Sequence, residues 1–177
     1  MIGKMGDKVL VSDNLISHHN QLMIKDIMLD AFFPWYYNHS TAISHYVKDQ
    51  KHQWTHTFYK NGKVVSSYYD EIVKYVPLQE FKTHELIRIK ANLNTPYKKK
   101  MKFRHQDSEY DGEISYLYYV TDSDGITELY HNWWKTQKIK PKQGRLVRFP
   151  SEMWHSGACP HKYEHRVVIY FMFRPFK

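Results

Sequence analysis

From residue 84 onward the chain is cut into short apolar and aromatic runs, and this most narrows the folds open to it. Residues 86–93, 114–120, 146–149 and 167–173 are rich in Ile, Val, Leu, Tyr and Phe, side chains that suit a pleated, half-buried surface. Turn chemistry separates them: Asn94-Thr95-Pro96, Asp111-Gly112, Ser123-Asp124-Gly125, Lys142-Gln143-Gly144 and Ala158-Cys159-Pro160. Many short strands punctuated in this way predict a sandwich or barrel.

The first half reads differently. Residues 8–11 predict a short strand, after which Ser12 or Asp13 can cap a helix over 14–31, where Leu15, Ile16, Leu22, Met23 and Ile27 follow a 3.6-residue period. Pro34 breaks that pattern, and residues 32–37 continue as an aromatic extended segment. Residues 38–52 are polar and rich in His, predicting a loop. His39, His45, His52 and His56 belong to a solvated stretch that could also fold as a lid over a site. Residues 53–59 alternate loosely into Asn61-Gly62, a hairpin-turn signal, and a second helix is expected over 68–78. No repeat or flexible linker interrupts the 177 residues, so a single domain is expected.

Composition removes several function classes. Hydrophobic residues at 42% and aromatics at 16% exclude a disordered chain. The single cysteine, Cys159, excludes an internal disulfide and suits a reducing compartment. With no bilayer-length apolar stretch and no apolar leader after Met1, the expectation is a cytoplasmic protein without a membrane span. A net charge of +8 admits an acidic partner, or merely a basic solvated surface. Lys98, Lys99, Lys100, Lys102 and Arg104 concentrate that charge just before His105.

His105, Asp107, His155 and Arg166 carry the most restrictive chemistry. Residues two apart on a strand share a face, so His105 and Asp107 can point inward together while Gln106 points away. His155, just after a strand, can reach the same cavity from its neighbour, and Arg166 opens the last strand. Two imidazoles and one carboxylate on one side of a metal leave its other side open, the ligand set of non-haem Fe(II) oxygenases. A cation downstream supplies what a dicarboxylate co-substrate needs. A lone His-x-Asp is weak in a chain with twelve histidines; the later His and Arg give it weight. Two competing motifs fail. His161-Lys162-Tyr163-Glu164-His165 reads as an inverted zinc-peptidase motif but needs a helix and a further downstream ligand. Cys159 with His155, His161 and His165 matches no standard zinc spacing.

At these residues the chain resembles a known family. Residues 84–173 look like the catalytic core of the 2-oxoglutarate/Fe(II)-dependent dioxygenases, in particular the prolyl 4-hydroxylase-like branch. The likeness is carried by His105-Gln106-Asp107, by 117–120, by 124–129, by 144–150 leading to His155, and by Arg166 with the strand after it. It implies a mainly β, double-stranded β-helix (jelly roll, cupin-like) fold, with the core at 84–177 and residues 1–83 as a helical and hairpin support. By the same resemblance His105, Asp107 and His155 hold Fe(II), and Arg166 pairs with the distal carboxylate of 2-oxoglutarate, which a guanidinium meets with two parallel hydrogen bonds. Collagen-type prolyl hydroxylases have lysine there, so the chain departs from them. Tyr119 aligns with a tyrosine that donates to the co-substrate in some relatives, or else packs in the core; Thr127 and Asn94 are further candidates to line the pocket. Tyr116, Trp154 and Phe171 are either an aromatic shell around the reaction or simple packing. Ascorbate is an accessory the resemblance admits.

Three readings follow. The first is hydroxylation of a peptidyl residue such as proline, or of a small molecule, with release of succinate and CO2. The second is oxidative dealkylation of nucleic acid. Its relatives carry a second arginine six residues after the first, where this chain has Met172; Arg174 comes eight after. The third is a jelly-roll binding module without catalysis. The sequence does not set the oligomeric state.

Overall fold

The computed structural model describes residues 9–38, 53–97 and 104–176. The lysine run at 98–102 and the His-rich stretch 39–52 lie outside the described residues. Eleven strands, all paired antiparallel, form two sheets among the described residues. The large sheet has the order β1 (Leu10–Ser12), β9 (Leu146–Pro150), β6 (Ile114–Tyr119), β11 (Arg166–Pro175), β5 (His84–Asn94), β3 (Gln53–Lys60) and β2 (Tyr36–Asn38), with β4 (Lys63–Val64) paired to β3. The small sheet is β10 (His155–Gly157), β7 (Thr127–Tyr130) and β8 (Thr136–Ile139). This is a jelly roll with helices packed on one face.

The two-residue period of the strands sorts the side chains into two cores. On β6, Ile114, Tyr116 and Tyr118 turn to the helical side, whereas Leu117 and Tyr119 turn to the small sheet. On β11, Val167, Ile169, Phe171 and Phe173 join the helical core and Val168 the inter-sheet core. Tyr116 and Phe171 therefore face away from the small sheet and pack in the helical core, whereas Trp154 is about half exposed and packs in neither core. Helix α1 (His18–Leu29) covers the first core with Ile24 and Met28, joined by Ile72 of α2 (Tyr69–Tyr75). Removing one such side chain costs about 2–5 kcal/mol.

Several expected boundaries move. The cap of α1 is Ser17, whose hydroxyl accepts from the Asn20 N–H at 3.2 Å, not Ser12 or Asp13. Ser12 is taken by pairing with Leu146, and Asp13 accepts from the Arg145 guanidinium. The Asn61-Gly62 turn forms as read, with φ of 50° and 80° at its two residues, the doubly positive geometry whose twist suits a two-residue hairpin. His56 leaves the loop assigned to it. It lies within β3, 5% exposed, its Nδ1 2.7 Å from the Pro34 carbonyl and its Nε2 2.7 Å from Ser66 Oγ.

Candidate metal centre

The chain from 104 to 107 is not the regular strand expected. His105 makes an isolated antiparallel bridge to His155, each N–H donating to the other's carbonyl at 2.9 Å, and the Asp107 N–H donates to the Ser151 carbonyl at 3.0 Å. A mutually hydrogen-bonded antiparallel pair sends both side chains to one side, and the two imidazole centroids come to 4.2 Å. Gln106 turns away and donates to the Glu152 carbonyl.

His105, Asp107 and His155 thus converge, with one ligand atom from each lying within 4.8 Å of the others. His155 Nε2 is 3.4 Å from Asp107 Oδ2, and His105 Nε2 is 3.9 Å from Asp107 Oδ1. His155 Nδ1 lies 2.9 Å from the Met153 carbonyl, which can only accept, so Nδ1 carries a proton and Nε2 is the nitrogen turned to the cluster. Two imidazole nitrogens and a carboxylate suit one divalent ion of the Fe(II) type. Asp107 is held from behind, where Ser115 Oγ donates to its Oδ2 at 3.2 Å. Ser151 Oγ and Tyr170 OH reach Ser115 Oγ at 2.8 and 3.1 Å. Burial, with the Asp107 charge nearby, holds the Tyr170 phenol well above its ordinary pKa, so it stays a donor. Sequence reasoning missed this trio. The available signal was Ser115 itself, a serine on the inward face of an apolar strand.

Arg166 sits at the start of β11, 5% exposed, opposite Asn94. Its Nε donates to the Gly125 carbonyl at 2.8 Å and its Nη2 to Thr127 Oγ1 at 2.7 Å. Tyr119 OH donates to the same Thr127 oxygen at 2.6 Å, with its ring centroid 5.6 Å from the guanidinium. The two readings of Tyr119 merge here: its ring is fully buried and its hydroxyl belongs to the arginine cluster. Glycine is required once around this cation: a Cβ on Gly125 would lie 2.8 Å from Arg166 Cδ and 2.6 Å from the Ala158 carbonyl. Burial lowers the pKa of Arg166, yet no carboxylate pairs with it among the described residues. A desolvated guanidinium without an acidic partner has the charge and the free donors to take an anion.

The competing motifs do not assemble. Residues 161–165 form bends rather than a helix, and Cys159, His161 and His165 belong to no metal-ligating group among the described residues. Arg174 is occupied by Glu113, whose Oε1 accepts from its Nε. No helix among the described residues is long and apolar enough to cross a membrane.

No protein-family model and no curated protein matches the chain. Solved structures do. A prolyl-4-hydroxylase from Pseudomonas putida aligns over 96% of this chain and 94% of its own, with a TM-score of 0.64 at 16% identity. A 2OG-Fe(II) oxygenase family oxidoreductase from Burkholderia pseudomallei aligns over 94% and 85%, with a TM-score of 0.68 at 11% identity. A Trichoplax adhaerens prolyl hydroxylase, in complex with a hypoxia inducible factor oxygen degradation domain peptide fragment, aligns over 93% and 83% at 0.66 and 16%. The chain has the fold of the 2-oxoglutarate/Fe(II) oxygenases, prolyl hydroxylases among them.

Proposed function

We propose that the protein is an Fe(II)/2-oxoglutarate-dependent dioxygenase that hydroxylates an unactivated C–H bond of a peptidyl residue, with proline the leading candidate. What supports this reading is the His105, Asp107 and His155 cluster together with the buried Arg166, which shares the face of β11 that Val168 turns to the small sheet. A metal cluster alone would suit many hydrolases; a metal cluster beside an anion seat suits a keto-diacid.

In this mechanism His105 and His155, through Nε2, and Asp107, through its carboxylate, would hold the iron. Arg166, with Thr127 and Tyr119 around it, holds the distal carboxylate of 2-oxoglutarate and sets which end faces the metal. Once bound, iron, O2 and the keto acid supply an oxidative decarboxylation to succinate and CO2 that places one oxygen atom in the substrate C–H. Leu117, Leu129, Phe149 and Val168 pack between the sheets and keep water from this side of the site, where low dielectric strengthens the contact of Arg166 to the carboxylate. Peptide as substrate is supported by the peptide-bound Trichoplax structure of the same fold.

Anaerobic Fe(II) plus 2-oxoglutarate is expected to give a weak visible charge-transfer band, lost on chelation. Proline peptides are then expected to stimulate succinate release and to gain one oxygen atom by mass, assayed with and without ascorbate. Absence of the band with correctly folded protein refutes the oxygenase reading. Stimulation by methylated single-stranded oligonucleotides alone overturns the peptide assignment in favour of dealkylation.

A further inference from the structure

The face of the large sheet that carries Arg166 continues beyond the triad as a cationic floor. Register sets its membership: β5 places Asn94 opposite Arg166, Asn92 opposite Val168, Lys90 opposite Tyr170 and Arg88 opposite Met172. On the other side of β5, Lys60 of β3 lies opposite Arg88 and Thr57 opposite Lys90. Directly paired residues project to the same face, so Lys60, Arg88 and Lys90 stand side by side with Tyr170 and Met172. Arg166 marks one end of this face and the three cations the other. Asp107 sits at the cation end, since its partner Ser115 is opposite Met172, the residue paired with Arg88.

Lys60 and Arg88 line a cleft of about 570 Å3 that reaches Asp107 and is walled by Ile87, Tyr110 and Met172. Arg174, also in the cleft, is neutralised by Glu113. Among the described residues no carboxylate forms an ion pair with Lys60, Arg88 or Lys90. Arg88 Nε is buried with no hydrogen-bond acceptor. Like charges placed opposite one another on a sheet are destabilising. The fold keeps three of them on one face, and two of these, Lys60 and Arg88, line the cleft together with Asp107, the exposed Glu109 and the Arg174-paired Glu113.

We propose that this cleft is the substrate-docking groove and that it selects acidic peptides, with Arg88 and Lys60 meeting Asp or Glu side chains that flank the oxidised residue. The proposal rests on the peptide-hydroxylase reading above. The guanidinium of Arg88 takes a carboxylate as a fork and Lys60 adds a mobile point charge. Ile87, Tyr110 and Met172 supply apolar contact for the residues between. Because the groove approaches Asp107 from the side away from Arg166, peptide and keto acid do not compete for space.

Binding is read directly, without turnover, by fluorescence anisotropy of labelled proline peptides on full-length protein with Co(II) and 2-oxoglutarate. Three peptides are compared, with Asp/Glu, Asn/Gln or Lys flanking the proline. The acidic peptide is expected to bind about tenfold tighter than its Asn/Gln counterpart, the scale of one charge-assisted contact, ~1.4 kcal/mol, and to weaken as salt rises. Arg88→Glu and Lys60→Glu are expected to abolish that preference while leaving the metal–keto-acid spectrum unchanged. Equal binding of the acidic and neutral peptides, or a preference that survives both reversals, overturns the proposal and leaves the oxygenase reading standing. Failure of that reading is a different result, the missing spectrum in the parent protein. Displacement of the acidic peptide by low inorganic phosphate, with equal affinity for all three peptides, would assign the cations to a phosphorylated ligand instead.

Discussion

Ser115 Oγ donates to Asp107 Oδ2 at 3.2 Å while Ser151 Oγ and Tyr170 OH close on it at 2.8 and 3.1 Å. A serine hydroxyl has one proton and two lone pairs. With its proton on Asp107, both lone pairs are left for Ser151 and Tyr170, so the network is saturated only when Asp107 is an acceptor. Ser115→Ala keeps the β-carbon and the packing but removes the hub. Metal affinity is expected to fall about 10- to 100-fold, the usual cost of losing such a supporting contact. Titration with Co(II), followed by absorbance, measures it; an unchanged Kd removes the positioning role.

Arg166→Ala is expected to weaken 2-oxoglutarate binding by about 3–5 kcal/mol, because a carboxylate is then stranded in a dry site. Arg166→Lys recovers only part of this, since an ammonium cannot form the fork. Gly125→Ala makes a more specific test. Its new Cβ would strike the Ala158 carbonyl and Arg166 Cδ, tilting the guanidinium without removing it. Keto-acid affinity is expected to drop with metal affinity intact. The two constants come from the charge-transfer band, titrated separately with each ligand, and parallel losses in both would point to general misfolding.

His155→Ala is expected to abolish metal binding and iron-dependent succinate release while the protein still unfolds cooperatively. The bridge to His105 is made by main-chain groups, so it survives loss of the imidazole. Circular dichroism and a Co(II) titration separate the two effects. Retained stoichiometric Co(II) binding would remove His155 from the ligand set.

The fold was legible where an apolar signal was long enough. The runs that became β5, β6, β9 and β11 are rich in apolar and aromatic residues and bounded by turn chemistry, and Asn61-Gly62 announces its turn. By contrast, β8 consists of Thr136, Gln137, Lys138 and Ile139, with only Ile139 buried, so no apolar alternation marks it. The four residues of α3 (Glu80–Thr83) span barely one turn. The four principal site residues were readable because each is chemically distinctive, and three of them, His105, Asp107 and His155, converge. What surrounds them was not. Ser115, Gly125 and the Met153 carbonyl act through position alone, and the adjacency of Lys60 to Arg88 depends on a register that no local pattern encodes.

His56 shows how a residue placed by composition in a polar loop can be part of the core. Phe33 and Phe58 lie with ring centroids 4.6 Å from it, and both its nitrogens are engaged. The Pro34 carbonyl accepts from Nδ1–H, and in the neutral ring Nε2 accepts from the Ser66 hydroxyl. Burial accordingly lowers the His56 pKa from its ordinary 6.5. A depressed folded-state pKa means the unfolded chain binds the extra proton first. The stabilisation from neutral His56 is therefore complete above pH 6.5 and declines as pH falls from there through the folded-state value. Thermal unfolding between pH 8 and pH 5 is expected to show Tm falling on the acid side. His56→Gln, which cannot protonate, is expected to be less stable at pH 8 and to lose part of that acid slope. A slope identical to the parent's would assign the acid sensitivity to other histidines.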